Sequence, residues 1–427
     1  MKKAALMAAG DSTRMMPLSA NAPKHLLPVA GEPFIFHTLR SLKDAGIEEA
    51  LVIYGYRGDV LREAIDAVDW GGMTISYVQQ RERKGTAHAA GYAREFAGND
   101  DIILMNGDIM MGTDAFTTLI DTHKKGGFGL TLSVFPVEDP SAYGVVAVED
   151  GKAVNLIEKP TANQMVSNLV NAGLYAAGQD LWDAIDRTDL SERGEYEITD
   201  SIMMLIKEGK VGANTIPSFW LDIGKPWDLL EANKQILSNV VKRIEGTVEE
   251  GAVIKGNTIV EPHALIKSGV YIEGPAYIGP ECVLGPNCYI RPHTSLGRKV
   301  KIGNAVEIKN SIIMDNTNVG HLSYVGDSII GKNSNFGAGT IVANLRHDNK
   351  AVRVTVKRQR ISSGRRKLGA IIADDVKTGI GTSISPGVVI HPGARTGIGV
   401  IVDQDLPANT LLIAKQPTES YNLEPTE

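Results

Sequence analysis

At 427 residues the chain is too long for one ordinary domain and long enough for two substantial cores. A hydrophobic fraction of 43%, a charged fraction of 22% and a formal charge of −6 fit a soluble globular protein and exclude an overall electrostatic pull toward nucleic acid or anionic membrane. No apolar run reaches transmembrane length, and the six apolar residues between Lys3 and Gly10 are too few for a secretory signal.

In chain order, Lys3 to Ala8 reads as a buried strand that delivers the small-residue loop Ala9-Gly10-Asp11-Ser12-Thr13-Arg14-Met15 at its carboxyl end. Sheets of the α/β class present backbone N–H groups to phosphate in this way. One glycine alone reads equally well as a plain βα connection. Pro23-Lys24-His25-Leu26-Leu27-Pro28 then adds a lysine in a proline-flanked turn, the second cation after Arg14. Phe34 to Gly46 has apolar residues at helical spacing, Ala50 to Tyr54 reads as a strand, Asp59 to Val68 as a helix and Ile75 to Val78 as a strand, which is βαβ alternation. Gln79-Gln80 closes that strand, and Gly85-Thr86 follows, as bare residues a helix N-cap. Ile102 to Met105 is a buried strand ending in Asn106-Gly107-Asp108. A carboxylate there, facing the phosphate loop, suits Mg²⁺, which takes one or two carboxylates plus phosphate oxygens; otherwise it is a turn residue.

The run from Leu6 to Met15, with Pro23-Lys24 and Pro28-Val29-Ala30-Gly31, resembles the signature of the sugar-1-phosphate nucleotidyltransferases, over most of residues 1 to 228. The resemblance implies that the amides of Ala9 and Gly10, with Arg14, hold a nucleoside triphosphate, UTP or dTTP. Lys24 then stabilises charge developing at the α-phosphorus. It assigns the pyrimidine edge to Gln79 or Gln80, Gly85 and Thr86, an amide being able both to donate and to accept. Mg²⁺ falls to Asp108 and to Asp222 in Trp220-Leu221-Asp222-Ile223-Gly224. A sugar pocket falls to Gly144, Glu158 and Asn171, with Lys159 near the sugar phosphate. The chemistry so implied is in-line attack on the α-phosphorus without a covalent residue, driven by positioning and charge neutralisation.

Pro226 to Ile244 has helical spacing and reads as a spacer helix. From Ile254, steps of six meet Val260, Ile266, Ile272, Ile278, Leu284, Ile290, Leu296, Ile302, Ile308 and Met314, a period of neither helix nor strand. It is the signature of a hexapeptide β-helix, three hexads to a coil, with every sixth residue inward. The phase slips after Met314, resumes at Tyr324, Ile330, Phe336 and Val342, and returns at Ile372, Thr378, Ile384, Ile390, Thr396 and Val402. Cys282 and Cys288, one hexad apart, read as fillers of a reduced, cytoplasmic protein and not as a disulfide.

Gly320-His321-Leu322-Ser323-Tyr324-Val325-Gly326-Asp327 and Asn335-Phe336-Gly337-Ala338-Gly339-Thr340 resemble the acetyltransferase half of the bifunctional enzymes that make UDP-N-acetylglucosamine. An amine attacking a thioester must lose a proton, and His is the side chain poised for that near neutrality; the resemblance makes His321 the general base. It places Arg291, Lys309, Tyr324, Asn335 and Lys350 on the sugar phosphate and amine, Ala338 at the acceptor or acetyl-CoA, Asn344 as an orienting amide and Glu307 as an assistant. The chain departs from the bacterial pattern at 352–368, where Lys357, Arg358, Arg360, Arg365, Arg366 and Lys367 accumulate. This basic stretch reads as an arm for acetyl-CoA phosphates, an arm for a neighbouring subunit's sugar phosphate, or a solvated hairpin; without interleaved aromatics it does not read as a nucleic-acid arm. It matches the archaeal type of bifunctional enzyme.

The expectation is therefore an α/β Rossmann-like nucleotidyltransferase domain at 1–228, a linker helix at 229–248, a left-handed parallel β-helix acetyltransferase domain at 249–405 and a tail at 406–427. The resemblance implies Mg²⁺, acetyl-CoA and a nucleoside triphosphate as small-molecule partners, glucosamine- or galactosamine-1-phosphate as acceptor, and a homotrimer without nucleic acid or membrane. The rival readings are a nucleotidyltransferase with a purely structural β-helix and a non-catalytic regulatory subunit.

Overall fold

A computed structural model describes residues 1–415 and 417–422. They divide into two compact units: Met1–Thr13, Ser19–Leu27 and Glu32–Gly224 form the first, and Arg14–Leu18, Pro28–Gly31 and the chain from Lys225 onward form the second.

The first unit is built on a nine-stranded sheet: β1 (Lys3–Ala8), β2 (Glu49–Tyr54), β3 (Thr74–Gln79), β4 (Ile102–Asn106), β5 (Leu130–Pro136), β6 (Gly144–Glu149), β7 (Lys152–Glu158), β8 (Leu169–Ala177) and β9 (Val211–Thr215). Their spatial order is β3-β2-β1-β4-β8-β5-β9-β7-β6. β1 runs parallel to both β2 and β4, whereas β8 enters antiparallel. The central strands are apolar on both faces because both are covered. Ala4, Leu6, Ile103 and Met105 join one core cluster and Ala5, Ile102 and Leu104 the other, the period-two alternation of a sheet between two layers. The helices expected near 34–46 and 59–68 run Phe34–Asp44 and Gly58–Asp66. Strand order reverses across β1, so the carboxyl ends of β1 and β4 open a crevice at the switch point.

The second unit is the left-handed parallel β-helix. Its three sheets hold eight, nine and eight strands. Val253 pairs with Tyr271 and Leu265 with Val283, one coil of 18 positions on. Ile266, Ile272, Ile278, Leu284 and Ile290 stack in one core and are fully buried. Left-handed corner residues recur between strands, among them Asn316, Asp327 and Asn333; short polar side chains tolerate that conformation by bonding locally, which explains their place in the repeat.

Three details differ from the sequence expectation. The inward series steps from Ile308 to Ile313 and from Val325 to Ile330, so Met314 and Tyr324 are neighbours of the stacking residues and not members of the stack. Each step spans five residues, and the coils there shorten to 17 positions, as in Lys301 with Asn318. The helix after Pro226 ends at Leu237, because the chain is then captured by the ladder: Arg243–Ile244 pairs with Ile259–Val260, and Thr247–Val248 follows. Ladder hydrogen bonds here outweigh helical propensity. At the other end Leu411–Leu412 still pairs with Arg395–Thr396, so the coils extend past 405 and the expected tail shrinks. Within 416–427, residues 416 and 423–427 lie outside the described residues.

The interruption near 343–370 is a hairpin, Arg353–Val356 against Gln359–Ser362, with Lys357 and Arg358 at its tip. Val352, Val354 and Leu368 are buried. Among the described residues no helix is long and apolar enough to cross a membrane.

Both cysteines are free and buried. Burial pushes each thiol up to about 12. The thiolate is the reactive form, so native protein at pH 8 is expected to leave a disulfide-exchange reagent such as DTNB unreacted, with two thiols appearing in denaturant. Rapid reaction of the native protein would show that the stack breathes open at these rungs.

Candidate functional sites

The crevice at the switch point of the first unit has a volume of about 260 Å³. Its floor comes from the ends of β1 and β4: Ala9 and Gly10 on one side, Asn106 and Asp108 on the other. The backbones meet closely, with Gly107 N–H donating to the Met7 carbonyl at 3.0 Å. A side chain at Gly107 would put its Cβ 2.9 Å from the Ala8 Cα. Lys24, almost fully buried, donates to the Asp108 carboxylate at 2.5 Å, and its backbone N–H donates to the Ser12 hydroxyl at 3.1 Å. The buried ammonium is thereby paired with a carboxylate rather than left without a partner.

Asp222 faces the same ladder. Its strand, Trp220–Asp222, pairs with Ile109–Met111, and Ile223 N–H donates to the Asp108 carbonyl at 2.9 Å. The two carboxylates are thus carried by adjoining segments, a hard-oxygen donor pair that fits Mg²⁺. No group of three or more His, Cys, Asp or Glu that could hold a metal occurs among the described residues; phosphate oxygens would have to complete the shell.

Of the two glutamines, Gln80 is buried and lines the crevice, donating to His88 Nδ1 at 3.0 Å, while Gln79 is exposed at the strand end. Gly85 lines it too, and only glycine fits: its φ is +107°, and a Cβ would lie 2.3 Å from the Tyr196 carbonyl. The Thr86 hydroxyl accepts from Ile198 N–H at 2.9 Å, so it also pins the neighbouring wall. Gly144, Glu158 and Asn171 converge: Gly144 pairs with Glu158 across the β6–β7 ladder, and Val170 pairs with Val145. Asn171 donates to the Tyr175 hydroxyl at 2.9 Å. Lys159 follows in a left-handed conformation, 3.7 Å from Glu158. Arg14 is exposed in the turn Thr13–Met15. Arg83, Asn106 and Glu195 also line the crevice; isolated polar residues on loops or at a strand end carry no period that would mark them in the sequence.

In the second unit the residues of interest ride on the shortened coils. Arg291 donates to Glu307 at 2.8 Å, and Glu307 pairs with Tyr324 on the next coil. Asn344 donates both to the Tyr324 hydroxyl at 3.1 Å and to the Asp327 carboxylate at 2.5 Å. Lys309 and Asn310 donate to the same carboxylate, at 2.9 and 2.7 Å. Asp327 is 3% exposed and is the hub of the group. Its place in a five-residue step was the signal that could have singled it out. Burial, and then the Asp327 charge, raises the Tyr324 pKa, so that hydroxyl stays protonated.

His321 is exposed at the end of strand Asn318–His321, on the neighbouring sheet, where Asn318 pairs with Asn335. The Ala338 carbonyl accepts from Gly381 N–H at 2.8 Å. Lys350 is exposed beyond the coil. One chain therefore brings Arg291, Glu307, Lys309, Tyr324 and Asn344 together and leaves His321, Asn335 and Lys350 at separate positions.

Geometry of this kind in the first unit defines a nucleotide-handling transferase, and the family described as "Nucleotidyl transferase" matches residues 3–239. A second family, "GMPPB C-terminal domain", matches residues 272–385. The crystal structure of UDP-glucose pyrophosphorylase complexed with UDP-glucose shares the fold, with a TM-score of 0.51 and 23% identity over 56% of this chain and 99% of that one. "Bifunctional protein GlmU" of Methanocaldococcus jannaschii is 40% identical over 410 residues, 96% of this chain and 97% of that protein. The "bifunctional sugar-1-phosphate nucleotidylyltransferase/acetyltransferase" of Sulfurisphaera tokodaii is 41% identical over 95% of this chain and 98% of its own length. The chain belongs to this family of bifunctional nucleotidyltransferase/acetyltransferases.

Two stability experiments follow from the sites. Burial first, then Lys24, lowers the His25 pKa to about 3. The unfolded chain, with its imidazole near 6.5, binds the proton that the folded chain refuses, so stability falls as pH drops from about 6.5 toward 3. Between pH 6 and 4, His25→Gln is expected to remove up to about 1.4 kcal/mol per pH unit from the slope of unfolding free energy; an unchanged slope would place the proton elsewhere. Asp327→Ala strands Lys309 and is expected to cost about 3 kcal/mol by urea titration, with Asp327→Asn costing less; a loss below about 0.5 kcal/mol would mean the hub is solvated.

Proposed function

We propose that the second unit transfers the acetyl group of acetyl-CoA to the amine of glucosamine-1-phosphate, and that the first unit couples the product to UTP, releasing pyrophosphate. The supporting observation is the joint presence of the crevice holding Lys24 and Asp108, with Asp222 on the strand beside it, and the Asp327-centred polar group in a chain aligned nearly end to end with bifunctional relatives. The assignment puts the nucleotidyltransferase domain at 1–228 and the acetyltransferase in the coils that follow. The setting proposed is cytoplasmic, and the assembly a homotrimer, in which a neighbouring copy would complete a site that one chain leaves dispersed.

In the first reaction to use the acceptor, the amine attacks the thioester carbonyl, His321 takes the amine proton and CoA leaves as the thiol. Arg291 and Lys309 hold the sugar phosphate, while Tyr324 and Asn344 orient the amine. In the second, a phosphate oxygen of the N-acetylated sugar phosphate attacks the α-phosphorus of UTP in line, and the bond to pyrophosphate breaks. Gly10 amides and Arg14 hold the triphosphate, Gln80 and Gly85 face the base, and Glu158, Asn171 and Gly144 hold the sugar. Asp108 and Asp222 would hold Mg²⁺, which supplies charge neutralisation to the triphosphate when bound. Lys24, released from Asp108, then places its ammonium on the phosphate charge.

The test is thiol release from acetyl-CoA with glucosamine-1-phosphate, and pyrophosphate release from UTP with N-acetylglucosamine-1-phosphate. His321→Ala is expected to lower the first about 100-fold or more and to spare the second, and Asp222→Asn to do the reverse. Pyrophosphate release without any thiol release from the intact protein would make the coils a scaffold. Galactosamine-1-phosphate is the first alternative acceptor to try.

A further inference from the structure

The six cations between Lys357 and Lys367 are sent to different places by the fold. Lys357 and Arg358 form the exposed hairpin tip, and Arg366 and Lys367 are exposed beyond it. Arg360 is engaged by the Gly387 carbonyl at 3.0 Å and lies 3.6 Å from Asp405. Arg365 instead lines a cavity of about 340 Å³ with Lys234 and Glu231 of the helix Asp228–Leu237 and with Arg291, His293 and Lys309 of the coils.

Four cationic side chains thus face one volume, of whose lining Glu231 is the carboxylate. Glu231 accepts a hydrogen bond from Arg365 at 3.4 Å and lies 3.6 Å from Lys234, so one carboxylate is shared by two cations. Arg291 and Lys309 are held from behind by Glu307 and Asp327. The Nε atoms of Arg291 and Arg365 are both buried without a hydrogen-bond partner. A charged donor left unmade is costly. Two guanidinium forks and two ammonium groups around one space match a phosphate dianion, which a planar fork grips with two parallel hydrogen bonds. His293 shares the wall, and burial with Lys234 nearby holds its pKa down, so it adds a neutral ring and not a fifth charge.

We propose that Arg365, delivered by the insertion, is a binding arm of the acceptor site: it exchanges Glu231 for the phosphate monoester of the amino-sugar phosphate and closes on it with Lys234, opposite no other role in the reaction. The inference rests on the reading of the coils as an acetyltransferase for a sugar phosphate, and it sets the insertion's task as selection of a phosphorylated acceptor over a neutral amino sugar.

The experiment uses the full chain, with Arg365→Ala, Arg365→Lys and a hairpin-tip control, Lys357→Ala with Arg358→Ala. Two readouts are taken: KM for glucosamine-1-phosphate and for acetyl-CoA in thiol release, and the shift in melting temperature with inorganic phosphate. Arg365→Ala is expected to raise the acceptor KM about tenfold or more with little change in the acetyl-CoA KM or in pyrophosphate release, and to lose the phosphate-induced shift. Arg365→Lys, which keeps the charge and loses the fork, should recover part of both, and the tip control neither effect. An unchanged acceptor KM and phosphate shift in both Arg365 variants would overturn the proposal, as would a rise confined to acetyl-CoA, which would assign the arm to CoA. If wild type acetylates no amino-sugar phosphate yet shows a phosphate shift that depends on Arg365, the anion site stands and the acceptor reading fails. If Arg365→Ala does not fold, judged by lost pyrophosphate release, Arg365→Lys decides alone.

Discussion

Each coil of the second unit has room for one inward side chain on each of three faces, and that constraint governs what the rest of the unit can do. A stack of such coils satisfies its backbone groups only through rungs above and below, so a residue number fixes a height and a face. Ile272 under Ile290 and Ile290 under Ile308 are consequences of that rule. Polar residues needed for chemistry are therefore confined to outward positions and corners, where Arg291 and Lys309, Glu307 and Tyr324 align one coil apart. The two five-residue steps remove one residue from a corner each, and it is at these corners that Lys309, Asn310 and Asp327 gather.

The first unit meets the opposite problem. Its sheet is open, and ligand access comes from topology: strands on either side of β1 run to different neighbours, leaving the ends of β1 and β4 uncovered. The loop amides, the buried lysine and Asp108 all arrive there from segments far apart in sequence. The buried Lys24 is paired with the partly exposed Asp108, which keeps an ammonium and a carboxylate ready beside the phosphate loop.

How much of this the sequence disclosed depends on the length scale of each signal. The β-helix was legible residue by residue because its period repeats over many coils, and βαβ alternation was legible because each element carries its own apolar pattern. Errors came where a signal was local. The slip at Ile313 was read one residue late, since Met314 is as apolar as its neighbour and nothing short of the ladder distinguishes them. Val240 and Val241 continue the helical spacing after Pro226, so local periodicity overruns the helix end at Leu237, and pairing with a distant strand is invisible to it. Gln79 and Gln80 were indistinguishable until the strand's pleat set one inward. Asp327 stood inside a recognised run, yet its part as a shared acceptor for Lys309, Asn310 and Asn344 needed three separate segments in space.

The insertion shows what such a stack permits. Ile329 pairs with Ile371 although 42 positions separate them, where an uninterrupted coil has 17 or 18, and the rungs on either side keep their register. A solenoid is indifferent to what happens between two adjacent layers, provided the chain returns to the same corner. Loop-closure entropy grows only slowly with length, so the thermodynamic penalty of a longer excursion is small beside the rungs that flank it. This position is therefore a port at which recognition elements can be exchanged between relatives, or by design, while the chassis beneath stays as it is.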